Sequence, residues 1–87
     1  MKKELALVVP ALRVDAVGAK GLGLSRSYFQ KGARSGNVLL NGRPAKGKEA
    51  VKPGDVIEAR TLGRVTLLEV VGTTAKGNYK IRVLRET

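Results

Sequence analysis

The sequence predicts a small α+β domain, and three observations carry that expectation. Two short stretches of helical character, 13–20 and 25–36, occupy the first half of the chain. From Asn37 onward the pattern changes to short apolar and β-branched runs. Those runs are separated by Asn41-Gly42 and Pro53-Gly54, turn dipeptides that suit antiparallel strands. Helices grouped ahead of strands, rather than alternating with them, favour α+β over a parallel α/β sheet. With 87 residues there is room for one core of limited size.

Leu5–Val9 is an apolar run closed by Pro10, which reads as a strand or an extended lead-in. Arg13–Lys20 can form a short helix with Val14 and Val17 on one side, weakened at Gly18 by up to ~1 kcal/mol relative to alanine. Gly21-Leu22-Gly23 breaks the chain, and Leu24 is placed to staple the next helix from outside its cap. These glycines do not form a dinucleotide fingerprint, because no strand leads into them and Arg26 occupies the third glycine position. The second helix begins at an N-cap serine, Ser25, and stops at Gly36. Asn37–Leu40 is then a strand, Asn41-Gly42 a hairpin turn, and Arg43–Lys48 a basic, mobile-looking segment. Lys52-Pro53-Gly54-Asp55 turns the chain into a strand at Val56–Ala59. Val65–Val71 and Tyr79–Val83 complete the set, with Tyr79, Ile81 and Val83 facing inward and Lys80 and Arg82 outward.

Composition narrows the function. Seventeen Lys and Arg against seven Asp and Glu give a formal charge of +10 and a pI near 10.6. So positive a field on so small a chain attracts polyanions. Nucleic acid is the leading partner it implies, an anionic membrane surface the second, and plain solubility the bland alternative. The chain has no cysteine and no histidine, which excludes disulfides, the usual zinc sites, cysteine nucleophiles and histidine acid–base chemistry. Glu49, Asp55 and Glu58 offer no convincing catalytic pair, so an enzyme is not expected, and neither is a cofactor, a metal or a small-molecule substrate. Met1-Lys2-Lys3 and Leu5–Val9 imitate a signal peptide, but Glu4 interrupts it and no small-x-small cleavage site follows. No apolar run approaches membrane-spanning length, so the chain reads as soluble and cytoplasmic. Nothing suggests a heptad or a large apolar face, and a monomer is expected.

The second helix carries the sharpest signal. At ~100° per residue, Arg26, Gln30, Arg34, Ser27 and Lys31 fall within an arc of ~140°, with no acid among them. A solvated helix usually mixes both signs, because acid–base pairs at i,i+4 support it. A one-sign face beside a dipole-positive N-terminus suits phosphate, although an ordinary basic surface helix is the competing reading. Tyr28, Phe29, Gly32 and Ala33 fill the opposite arc, and both aromatics are expected in the core. With no tryptophan and one phenylalanine, the chain favours backbone and shape reading of folded RNA over stacking on single strands. Asp15, an acid near the basic region, is expected to be structural, and Asp55 to serve its turn.

Arg13-Val14-Asp15, Leu24-Ser25-Arg26-Ser27, Gln30-Lys31, Gly36-Asn37-Val38, Asn41-Gly42 and Val51-Lys52-Pro53-Gly54-Asp55-Val56-Ile57 together resemble the S4 RNA-binding domain. Arg60-x-x-Gly63-Arg64 with the two strands beyond it is similar to the C-terminal end of the YlmH-like, ribosome-associated (photosystem II S4-type) members. The resemblance implies a lead-in strand or linker over 1–12, an S4 domain over 13–60, and a C-terminal β-hairpin over 61–87 packed on it. It implies two short helices on a small antiparallel sheet, with the second helix facing structured RNA, ribosomal RNA or tRNA, on or near the ribosome. Ser25, Arg26, Ser27, Lys31 and Arg34 would then touch phosphates, while Asn41, Gly42, Arg43, Lys46 and Lys48 line the adjoining rim. Arg13 joins these RNA-binding candidates, with a structural role beside Asp15 left open. The chain would be a free-standing module or an excised C-terminal domain; the competing role is an RNA-targeting appendage of a modifying or aminoacylating enzyme. Gly18 stands where relatives often carry leucine, and Gly32-Ala33 where they carry bulky aliphatics, so Phe29 and Tyr28 are expected to fill that volume.

Overall fold

The fold follows from one sheet that turns a single face toward two helices. The computed structural model describes residues 1–60 and 62–87. In chain order the elements are β1 (Lys2–Val9), α1 (Val14–Leu22), α2 (Arg26–Arg34), β2 (Val38–Leu40), β3 (Arg43–Pro44), β4 (Val56–Ala59), β5 (Gly63–Thr73) and β6 (Tyr79–Glu86). The six strands form one antiparallel sheet in the order β1-β6-β5-β4-β2-β3. The architecture is α+β, as the grouping of helical and extended stretches predicts.

Alternation sorts the sheet's side chains. Val65 and Leu67 on β5, Ile81 and Val83 on β6, Ile57 on β4 and Val9 on β1 are all buried, with exposed or half-exposed residues between them. Val14 and Val17 of α1 are buried on the same core. Helix α1 lies across β5 so closely that a Cβ on Gly21 would come within 2.8 Å of a Val65 methyl. The expected lead-in strand is longer than its apolar run. All of Lys2–Val9 pairs with β6, because the ladder satisfies backbone groups whatever the side chains are. Two bulges, at Leu67/Glu69 and Val70/Gly72, bend β5 as it follows β6.

The turns obey local chemistry. Asn41 (φ 53) and Gly42 (φ 84) are both left-handed, the geometry of a tight two-residue hairpin between β2 and β3. Gly54 (φ 97) sits at the third corner of the Pro53 turn, closed by the Asp55 N–H donating to the Lys52 carbonyl at 3.0 Å. Helix α1 runs to Leu22, past the expected end at Lys20, and stops at left-handed Gly23, whose N–H reaches back to the Lys20 carbonyl.

Tyr28 departs from expectation. It is 57% exposed, whereas Phe29 is 1% exposed. The reason lies on α1. Gly18 leaves a slot there that the Phe29 ring fills, and a Cβ on Gly18 would stand 2.7 Å from Phe29 Cε1 and closer still to Cζ. One large side chain occupies the space, and Tyr28, ~100° further round the helix, is left outside.

Candidate nucleic-acid interface

The candidate surface is built around α2. Ser25 caps it, its Oγ accepting from the Tyr28 N–H at 3.1 Å. The N–H groups of Arg26 and Ser27 lie in the first turn, which has no intrahelical acceptors for them. At the other end, Ser35 Oγ donates to the Lys31 and Gly32 carbonyls, and Gly36 (φ 79) carries the chain away.

How the helix is turned matters more than its composition. Phe29 is buried, and Gln30 Nε2 donates at 2.8 Å to the carboxylate of Asp15, which is fully buried on α1. The inward direction therefore falls between Phe29 and Gln30. Arg26, ~40° from Gln30 on the wheel, follows it inward and donates from Nη2 to Asp15 Oδ2 at 3.2 Å. Arg13 grips the same carboxylate with a fork, Nε to Oδ1 at 3.2 Å and Nη2 to Oδ2 at 3.1 Å. The Ala16 N–H completes the set at 2.8 Å. Burial opposes ionisation of Asp15, but the hydrogen bonds from Gln30, Arg26 and Ala16 and the charge of Arg13 outweigh it, so its pKa is lowered. The acid-free arc thus acquires an acid from the neighbouring helix, which spacing along α2 alone could not reveal.

Ser27, Tyr28, Lys31 and Arg34 are turned to solvent, and Arg26 remains exposed although it reaches Asp15. Beside them lies the segment expected to be mobile. It is held instead to the start of α1, where the Val14 and Asp15 N–H groups donate to the Glu49 and Gly47 carbonyls, both at 2.9 Å. Ala45 is buried, and Lys46 and Glu49 close a turn through their backbones. Gln30, Ala33 and Arg34 on one side and Lys46, Gly47 and Lys48 on the other line a groove of about 680 Å³. Arg34, Lys46 and Lys48 thus converge on one concavity. None of these three cations, nor Lys31 or Arg43, has a carboxylate within 4.0 Å among the described residues.

Asn41 and Gly42, at the turn between β2 and β3, are both exposed and do not line that groove. The Asn41 side chain is engaged, its Nδ2 donating to Asp55 Oδ1 at 3.0 Å and its Oδ1 accepting from the Val56 N–H at 2.9 Å. The Asn41 hydrogen bond leads in lowering the pKa of Asp55. Burial opposes it, and the backbone and side chain of Lys52 add to it. Asp55 thereby locks its turn, as its position in the sequence suggests.

Three acids on the strands are paired. Arg82 pairs with Glu4 at 2.8 Å and with Glu69 at 2.9 Å, and Arg64 lies 3.4 Å from Glu86. Lys2, Lys3, Lys80 and Arg85 on the strands have no carboxylate within 4.0 Å among the described residues, so positive charge is in excess there as well as beside α2. No helix among the described residues is long and apolar enough to cross a membrane.

A helix pair on an antiparallel sheet, with unpaired cations in the last turn of α2 and in the Lys46–Lys48 turn around one groove, defines a small α+β module that suits a phosphate-bearing polymer. The chain belongs to the S4 domain family: the family's model matches residues 12–57, just over half of its length, and S4 domains bind RNA and are generally non-catalytic. No curated protein matches the chain.

Proposed function

We propose that this chain docks, without catalysis of its own, on structured RNA, ribosomal RNA or tRNA in a ribosomal setting, by laying the outer arc of α2 and the Arg43–Lys48 rim along the phosphate backbone. The observation that carries the reading is the groove shared by Arg34, Lys46 and Lys48, three cations that converge there with no acidic partner among the described residues. Arg13 and Arg26 contribute chiefly by fixing α2 through Asp15, with one face of each guanidinium left to the RNA; Arg26 keeps 43% of its side chain exposed. The similarity of residues beyond Arg60 to the YlmH-like members supports the ribosomal setting. We read the chain as a cytoplasmic monomer, in keeping with its lack of cysteine.

The test is RNA affinity measured against salt. Replacing Arg34, Lys46 and Lys48 together by alanine is expected to lower the log–log salt slope by roughly 2 to 3, about one unit per lost phosphate contact. Thermal stability should barely change, since such surface sites contribute within about 0.5 kcal/mol. An unchanged slope would remove these residues from the interface.

A further inference from the structure

A second groove runs along the opposite flank of α2. Leu24, Phe29, Gly32, Val38, Ala59 and Leu62 form its apolar part, and Tyr28, Lys31, Ser35, Asn37 and Arg60 complete the lining. Its volume is about 380 Å³, near the lower end of the ~300–1,000 Å³ found for small-molecule sites. Three features select an occupant. Tyr28 and Leu62 stand at the surface, 57% and 40% exposed, in a chain with only three aromatic residues. Two cations, Lys31 and Arg60, line the groove, and no carboxylate does so among the described residues. Lys31 also belongs to the outward arc of α2, so the groove continues the phosphate-binding ridge around the helix.

An apolar slot with a free aromatic face, flanked by cations, fits a flat heteroaromatic group carried on a phosphate chain. We propose that this groove receives one unstacked nucleobase of the bound RNA, from a bulge or loop. The base stacks on the Tyr28 ring, and Lys31 and Arg60 hold the phosphates on either side. The proposal rests on the RNA reading above and refines it: the ridge reads the backbone, and the slot reads the presence of an unpaired base. Stacking tolerates any base, so the slot selects for structure rather than sequence.

The experiment compares the full chain on two RNA hairpins, one with a fully paired stem and the same stem carrying a single unpaired adenosine. The wild-type chain should bind the bulged hairpin about tenfold more tightly, the scale of one aromatic stack. Tyr28→Ala should abolish that advantage and leave affinity for the paired hairpin unchanged, while Tyr28→Phe keeps it. Equal affinity of the wild type for both hairpins overturns the proposal, as does an equal loss on both in Tyr28→Ala. The Arg34, Lys46 and Lys48 variant separates the two readings, since it should weaken both hairpins alike and preserve their ratio. If the wild type binds neither hairpin even at low salt, the slot and the underlying RNA reading fall together.

Discussion

Asp15 is the residue on which the most depends. Its buried carboxylate joins α1 to α2 through Arg26 and Gln30, and its own backbone N–H, with that of Val14, holds the Lys46–Glu49 turn. Removing it would leave two guanidinium groups and an amide without their acceptor. Because both arginines are partly exposed and can rehydrate, Asp15→Ala is expected to cost about 2–3 kcal/mol, below the full penalty of breaking a buried pair. The pH dependence has a definite sign. A carboxylate whose pKa is lowered by folding contributes stability above its unfolded value of about 3.9, and loses it as pH falls through the folded value. Melting temperatures of the wild type should therefore decline in that acid range. Asp15→Asn should show a shallower decline, with the remainder due to Asp55, which is shifted in the same direction. An identical acid limb in both proteins would refute the role given to Asp15.

Among the elements, the α1–α2 contact decides what α2 shows to the outside. Gly18 looks like a weak point in a helix, and on propensity alone Gly18→Ala should stabilise by up to ~1 kcal/mol. Packing reverses the sign, because the added methyl would collide with the Phe29 ring, and overpacking of that kind costs about 1–3 kcal/mol. A net loss in urea unfolding is expected for Gly18→Ala, with partial recovery when Phe29→Leu is added. A Gly18→Ala protein as stable as the wild type would mean that the ring has room to move. The capped start of α2, its one-sign arc, the Asn41-Gly42 hairpin and the Lys52–Asp55 turn were all legible in the sequence, since each is set by residues within a few positions of one another. The exposure of Tyr28 and the inward turn of Arg26 were not, because both follow from a slot and a carboxylate on another helix. Gly18 was the one available signal: a gap in α1 that asks for a single large partner.

Across the whole molecule, β1 connects the chain's two ends. It covers the free edge of β6, places Val9 in the core, and brings the Met1 ammonium within 2.7 Å of the Thr87 carbonyl. Deleting the first nine residues should expose the β6 edge and part of the apolar layer, giving a chain that loses cooperative unfolding and tends to associate. Circular dichroism melts and size-exclusion chromatography would show it; a monomeric, cooperatively folding truncation would make β1 dispensable. The sheet also organises charge. By pairing β1, β5 and β6 it brings Glu4 and Glu69 to Arg82 and Glu86 to Arg64. The formal charge of +10 gives the whole molecule a field that attracts polyanions, and such attraction falls steeply with salt.

The sequence by itself determined the α+β class, the element order, the turn chemistry and the polyanion-seeking charge, because these depend on composition and short-range spacing. Only the tertiary structure decided which side of α2 faces water. A nine-residue helix carries too little apolar surface to orient itself, so its rotation is set from outside by the Gly18 slot and the Asp15 carboxylate. That rotation turned one arginine inward, left a tyrosine at the surface, and placed cations of α2 and the Lys46–Lys48 turn around a common groove.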